Sequence, residues 1–93
     1  MHYLYIIYSK LSDKFYIRET HDLEERLEKH KNHTYDNSFT KIASDWILVL
    51  KLECNERKDA LYLEQFIKRM KSKKFIDKVV NEPSIPADIL SKK

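Results

Sequence analysis

Apolar residues concentrate in three short runs that are rich in β-branched and aromatic side chains. These runs predict strands at His2–Ser9, Phe15–Glu19 and Trp46–Glu53. The polar KLSDK turn between the first two runs contains a Ser-Asp pair, so those two strands are expected to form a hairpin. The third run is the most apolar, and we expect it to be buried on one face and partly on both.

Apolar residues recur at helical spacing in most of the remaining chain. Residues 32–38 are polar and turn-rich and are predicted to be a loop, whereas 39–45 fit no single pattern. The tail carries both prolines, and it either docks as a short helix or frays. The first predicted helix is capped by Thr20 or Asp22 and runs to about Lys31, and the second is capped by Asn55 and runs from about Glu56 to Met70. Two shorter helices are predicted at Phe75–Val80 and, in the tail, at Ala87–Ser91.

The resulting order, β-β-α-β-α-α, predicts an α+β fold in which helices flank a small three-stranded antiparallel β-sheet. A chain of 93 residues is long enough for one domain with one hydrophobic core. The sequence contains no glycine, so each turn has to be made by Asn, Asp, Ser or Lys, or has to lie within ordinary backbone angles.

Composition narrows the class of protein. Cys54 is the sole cysteine, which excludes an intramolecular disulfide and is typical of a reducing compartment. The apolar run YLYIIY is too short for a signal peptide or a membrane span. His30 and His33 are three residues apart but have no second pair of ligands for zinc. We therefore expect a soluble, cytoplasmic protein without a membrane partner.

Two polar residues of the first predicted helix lie on or beside its apolar stripe. Leu23 and Leu27 define the stripe, and Arg26 and His30 follow Leu23 by three and seven residues. Either Arg26 pairs with a neighbouring glutamate and His30 is a cation at the helix end, or both point into a functional cleft.

Glu64 is a similar anomaly in the second helix. It lies on the stripe formed by Ala60, Leu63, Ile67 and Met70. A carboxylate in that position has to be paired, bound to a metal or placed in a cleft, unless the stripe is tilted and Glu64 lies at its margin.

Tyrosines of the hairpin add hydroxyl groups near these residues. Tyr3 and Tyr5 share one face of the first strand, Tyr8 lies on the other face, and Tyr16 lies in the second strand. Phenols, an arginine, an imidazole and one acid form a set suited to phosphodiester hydrolysis. In that chemistry a carboxylate holds Mg²⁺, arginine stabilises charge on phosphorus, and tyrosine relays a proton.

Several separated stretches, in order, resemble the GIY-YIG endonuclease domain, in particular its short single-domain bacterial members. They are YLYIIYS, YIR, DLEERLEKH, SFTKIASDWILVL and ALYLEQFIKRMK, which together cover about residues 2–79. The resemblance implies a nuclease domain at residues 1–80 followed by a tail at 81–93. It also implies metal-dependent DNA cleavage with Mg²⁺ or Mn²⁺. The implied catalytic residues are Tyr5, Tyr16, Arg26 and His30, and the implied metal ligand is Glu64.

Arg18 departs from the resemblance, because the family has glycine at this position. Glycine would let the backbone approach the cleft closely, whereas any side chain intrudes. Arg18 therefore either obstructs substrate or metal, or adds a contact to a phosphate. The first alternative weakens catalysis, and the second retains nucleic-acid binding.

A basic stretch from Lys68 to Lys78 carries six cations and one acid. Such a run is either a solvated helix face or a surface that follows a nucleic-acid backbone, and its position beside Glu64 favours the second interpretation. The sequence thus supports two main hypotheses, a DNA endonuclease, for which branched or damaged DNA are candidate substrates, and a catalytically impaired nucleic-acid-binding module. A purely structural domain is a third, weaker hypothesis, and self-association is left open. The predicted nucleic-acid-binding residues are Arg18, Lys68, Lys71, Lys73 and Lys74.

Overall fold

A computed structural model describes residues 1–32, 45–82 and 84–92 of the chain, and for residues 28–32 it describes the backbone alone. The predicted loop at 33–38 and most of the ambiguous segment 39–45 lie outside the described residues. The elements are β1 (His2–Ser9), β2 (Lys14–Thr20), α1 (Leu23–Asn32), β3 (Ile47–Cys54), α2 (Arg57–Met70), α3 (Lys73–Asn81) and α4 (Ser84–Ser91).

The strands form one antiparallel sheet in the order β2-β1-β3, which confirms the predicted α+β class. Strand β1 lies in the centre, and β2 and β3 are edge strands within the described part of the chain. Tyr5 lies opposite Arg18 of β2 and Lys51 of β3. Because directly opposed residues share a face, this register assigns each side chain to one of two layers.

The two faces of the sheet bury different sets of side chains. Leu4 and Ile6 of β1 face α2, α3 and α4 in the larger core. Tyr5 and Ile7 face the opposite side, where they pack with Leu23 of α1. The helix layers therefore sandwich the hairpin, and its residues alternate between the two cores, as period-2 patterning predicts.

Strand β3 is less buried than its sequence suggested. Leu50 and Cys54 are buried, but Ile47 and Leu48 at the start of the strand are exposed. The expected burial on one face holds for Leu50 and Cys54, whereas the expected partial burial on both faces was wrong at the start of the strand, because β3 is an edge strand. Its register with β1 also shifts beside Val49, where a bulge bends the strand.

The two predicted helix caps differ in outcome. Asp22 accepts a hydrogen bond from the Glu25 N–H at 3.1 Å, as the capping-box spacing predicted. Asn55 does not cap α2, which starts one residue later, after Glu56, without a side-chain cap. Without a side-chain cap, α2 depends for its stability on the packing of its apolar face against the larger core.

Two residues in the described part of the chain adopt the left-handed conformation. Asp13 in the β1–β2 turn has φ 53°, and Lys71 at the end of α2 has φ 48°. This agrees with the expectation that Asp and Lys serve as turn residues in a chain without glycine. The tail docks rather than frays, because Pro86 is buried and Ile85 and Ile89 pack on the core.

Asp45 connects the segment before β3 to the β1–β2 turn. Its carboxylate accepts hydrogen bonds from the Ser9 hydroxyl at 2.6 Å and the Leu11 N–H at 2.9 Å. These hydrogen bonds hold the pKa of Asp45 below its usual value, and the bond from Ser9 has the largest effect. The charged form is therefore favoured in the folded protein.

Substituting Asp45→Asn is expected to reduce the loss of stability in acid. A depressed folded-state pKa stabilises the protein above the unfolded pKa of about 3.9, and the effect is lost as the pH falls through the folded value. Between about pH 6 and pH 3, Tm measured by circular dichroism should therefore fall less for the variant than for the wild type. The control Asp88→Asn, at an exposed helix position, should retain the wild-type dependence. An equal fall in Asp45→Asn would contradict this assignment.

Candidate active site at the edge of strand β2

Glu64 projects from α2 to the open edge of β2. The helix buries Ala60, Leu63 and Ile67 against the sheet, and Glu64 lies at the margin of this buried stripe. Its Oε1 atom accepts a hydrogen bond from the backbone N–H of Glu19 at 3.0 Å. Since β2 is an edge strand, this N–H points away from β1, and the carboxylate satisfies it.

Two cations flank the Glu64 carboxylate. The Arg18 Nε atom lies 3.8 Å from Oε1, and the Lys68 Nζ atom lies 3.9 Å from Oε2. The Glu64 side chain is 14% exposed, whereas that of Arg18 is 43% exposed. The acid is therefore held inside a small cluster of opposite charge whose arginine borders solvent.

Two of the hairpin tyrosines, Tyr5 and Tyr16, occupy the same sheet face as Arg18. Tyr5 is directly opposite Arg18 and fully buried, and Tyr16 precedes Arg18 by two residues on β2. Tyr16 is half-buried, with its ring centroid 6.4 Å from that of Trp46. It also borders a cavity of about 290 Å³ that Lys68 lines from α2. Tyr16, Arg18, Glu64 and Lys68 thus gather around the edge of β2, and Tyr5 lies within the core cluster that Tyr16 packs against.

The remaining predicted catalytic residues belong to α1. Arg26 is half-buried on this helix, between Leu23 and Leu27, which pack in the smaller core. His30 lies in the helix, but its side chain lies outside the described residues, as does all of His33. The catalytic roles of Tyr5, Tyr16, Arg26 and His30 therefore stay predictions.

The predicted basic residues line connected cavities beside β2. Lys68 and Lys71 line the cavity bordered by Tyr16, and Lys71 and Lys73 line a neighbouring cavity of about 290 Å³. Lys73 and Lys74 then line a third cavity of about 570 Å³. Lys73 forms an ion pair with Asp13 and Lys68 forms one with Glu64, so two of these cations are already engaged within the protein.

Sequence reasoning missed three residues of this surface. Lys14 lines the cavity that Lys71 and Lys73 share, and Tyr8 and Phe15 form a wall of the cavity of about 570 Å³. The alternation of β1 had assigned Tyr8 to the face opposite Tyr5, which is correct, but gave no reason to associate it with Lys73. That association requires α3 to pack across the end of the hairpin.

A second ionic group borders the Glu64 cluster. Glu19 lies beside Arg57, with the Nε and Oε1 atoms 3.3 Å apart, and beside His2, with the Nδ1 and Oε2 atoms 3.4 Å apart. Its side chain is 14% exposed, like that of Glu64. The two acids have similar exposure and different partners, which makes Glu19 a suitable reference for substitutions of Glu64.

Glu64 is a hard oxygen donor of the kind that Mg²⁺ and Mn²⁺ prefer. Within the described ranges, no group of three or more His, Cys, Asp or Glu side chains is arranged to hold a metal ion. A single carboxylate suits a Mg²⁺ ion that keeps most of its waters and takes further oxygens from a phosphate. Glu64 therefore fits such an ion once the contact with Arg18 opens.

Comparison with known proteins assigns the family. The model of the GIY-YIG catalytic domain matches residues 1–77 of the 93-residue chain. The protein therefore belongs to the GIY-YIG family, a nuclease family whose members act on nucleic acid and generally depend on divalent metal ions. No curated protein and no solved structure matched the chain in the corresponding searches. None of the helices in the described ranges is both long and apolar enough to span a membrane.

Proposed function

We propose that this protein is a metal-dependent endonuclease that hydrolyses phosphodiester bonds of DNA in the cytoplasm. The observation that carries the proposal is the position of Glu64, which meets Arg18 and Lys68 at the edge of β2 in a chain of the GIY-YIG family. An acid flanked by cations beside a half-buried tyrosine can organise a phosphate group. Residues 1–80 form the proposed nuclease domain, and 81–93 the tail that follows it.

We assign one role to each proposed residue. Tyr16 borders the cavity beside Lys68, where its hydroxyl can relay a proton of the attacking water. Arg26 and His30 of α1 are proposed to stabilise charge on the phosphate and to assist proton transfer. Tyr5 is also proposed as a catalytic residue, and its side chain is fully buried in the smaller core, where Tyr16 packs against it. Glu64 would hold Mg²⁺ or Mn²⁺, which supplies Lewis-acid stabilisation of the phosphate oxygens when bound.

The lysines are proposed to guide the nucleic-acid backbone toward Glu64. Lys68, Lys71, Lys73 and Lys74 line connected cavities along β2, α2 and α3, and Arg18 lies at the end nearest to Glu64. Cations in such a row neutralise successive phosphates and release counterions, so binding should weaken steeply with salt.

A second candidate function is a nucleic-acid-binding module with impaired catalysis. The observation that favours it is the Arg18–Glu64 ion pair, because a resident cation reduces the attraction of the carboxylate for a metal ion. In that case the basic surface would still bind nucleic acid. The two functions differ in whether the bound strand is cut.

A cleavage assay with a parallel binding assay tests both functions. The wild type is incubated with supercoiled plasmid and with labelled duplex and branched oligonucleotides, in Mg²⁺, Mn²⁺ or EDTA. The endonuclease predicts nicking with either metal and none in EDTA, together with binding whose logarithm falls linearly with the logarithm of salt concentration. Salt-sensitive binding without cleavage would favour the binding module, and absence of binding at low salt would contradict both functions.

A further inference from the structure

A cavity of the described chain lies on the sheet face that α2, α3 and α4 cover, at the turn end of the hairpin. It has a volume of about 570 Å³, which is in the range of small-molecule sites. Its walls are mostly apolar and aromatic, with four charged groups around them. The lining residues are Tyr8, Asp13, Phe15, Val49, Lys73, Lys74, Asp77 and Val80.

Two aromatic rings form a fixed wall of this cavity. Tyr8 and Phe15 are directly opposed on β1 and β2, and their ring centroids lie 4.8 Å apart at an inclination of 44°. The Tyr8 hydroxyl donates a hydrogen bond to Asp13, which also pairs with Lys73. This bond raises the pKa of Tyr8. The ring is therefore held in place before any ligand arrives.

The cavity continues toward Glu64 along the edge of β2. Phe15 lines all three cavities of this surface, which shows that they are adjacent. Lys14 and Lys71 line the middle cavity, and Lys68 and Tyr16 line the one nearest to Glu64. A basic groove thus runs from the Glu64 cluster to the aromatic wall.

We propose that the cavity binds an unpaired nucleobase, stacked on Tyr8 and Phe15, of a strand whose backbone lies in the basic groove. This inference rests on the proposed function only in that the protein binds nucleic acid. Each part of a nucleotide has a matching group along this surface. The lysines can bind its phosphates, and the aromatic rings can stack on the flat apolar face of its base. Asp77 can accept hydrogen bonds from the amino groups of the base.

The length of the groove sets the position of that base. From Glu64 to Lys71 the rise along α2 is about 10 Å, at about 1.5 Å per residue. A stacked strand advances about 3.4 Å per nucleotide. The stacked base should therefore lie about three or more nucleotides from the phosphate at Glu64.

Fluorescence of 2-aminopurine in a single-stranded oligonucleotide tests the proposal, since stacking on an aromatic ring quenches it. Titrations in EDTA keep the measurement independent of cleavage. The wild type should quench the probe, whereas Tyr8→Leu, which leaves Phe15 as the one aromatic wall, should reduce the quenching and weaken binding about tenfold. Tyr8→Phe retains the ring and should retain the quenching. The control Tyr62→Leu changes an exposed tyrosine on α2 and should match the wild type.

The outcomes separate this inference from the proposed function. Binding of the oligonucleotide with unchanged quenching and affinity in Tyr8→Leu would overturn the base site and leave nucleic-acid binding intact. If Tyr8→Leu does not fold, as judged by circular dichroism, Lys74→Glu provides the test, because this exposed residue lines the cavity. It should weaken binding and reduce quenching, and wild-type behaviour in this variant would overturn the site. Absence of any oligonucleotide binding by the wild type would remove both proposals.

Discussion

Glu64→Gln is expected to lower kcat/KM for DNA cleavage at least about a hundredfold, because the loss of even an outer-shell partner of a metal ligand typically costs about 10- to 100-fold. The substitution removes the negative charge that would hold Mg²⁺ or Mn²⁺. Its amide oxygen can still accept the Glu19 N–H, which the carboxylate accepts at 3.0 Å in the native protein. Glutamine therefore tests the charge with the shape of the edge preserved, whereas alanine would also leave that N–H without its partner.

Glu19→Gln is the matched control for this experiment. Glu19 is as shielded from solvent as Glu64, and its carboxylate pairs with Arg57 and His2 rather than with Arg18. Plasmid nicking and oligonucleotide cleavage should be close to wild type in this variant. Single-turnover rates with Mg²⁺, together with thermal unfolding of each variant, distinguish lost chemistry from lost stability. Cleavage that survives in Glu64→Gln would refute the proposed metal role.

Arg18→Gly is expected to raise the affinity for Mn²⁺ by up to about fivefold, because it removes a cation that competes for the same carboxylate. At 3.8 Å from Glu64, with the arginine 43% exposed, the pair is screened by solvent. Such partly exposed pairs contribute up to about 1 kcal/mol, which corresponds to this range of affinity. Isothermal titration calorimetry without nucleic acid measures the affinity directly, and cleavage should increase in parallel at limiting metal concentration.

Arg18→Gln separates charge from bulk at this position. If the charge limits metal binding, glutamine should raise the Mn²⁺ affinity as glycine does. If the side chain obstructs the site sterically, glycine alone should do so. Lys92→Gln, which removes an exposed lysine of the tail paired with Asp88, should leave the affinity unchanged. Equal Mn²⁺ affinities in the wild type and both Arg18 variants would contradict a resident counter-ion. Because glycine weakens strands by about 0.5–1 kcal/mol, a modest decrease in Tm is expected for Arg18→Gly.

Local sequence patterns predicted the elements well. The alternation in β1 and β2 correctly placed Tyr5 and Tyr8 on opposite faces, and the spacing around Asp22 predicted the start of α1. The apolar stripe of α2 correctly identified Glu64 as a polar residue at a buried margin. These features depend on residues two to four positions apart, so the sequence contains them directly.

The exposure of β3 and the cap of α2 were predicted less well. Ile47 and Leu48 are as apolar as core residues, but an edge position and a bulge leave them exposed. The identity of the edge strands is a property of the assembled sheet, and the apolar composition of a strand does not report it. The capping residue of α2 shifted by one position for a similar reason, since packing rather than a cap hydrogen bond positions that helix.

The sequence alone determined the class of this protein, the order of its elements and the set of residues from which a phosphodiester site can be built. The tertiary structure alone decided that Arg18 reaches Glu64 and that Tyr8, Phe15 and Lys73 enclose one surface. Arg18 and Glu64 are 46 positions apart in the chain and meet because α2 packs along β2. Periodicity acts within one turn of helix or one step of strand, whereas these contacts depend on which sheet edge each helix covers.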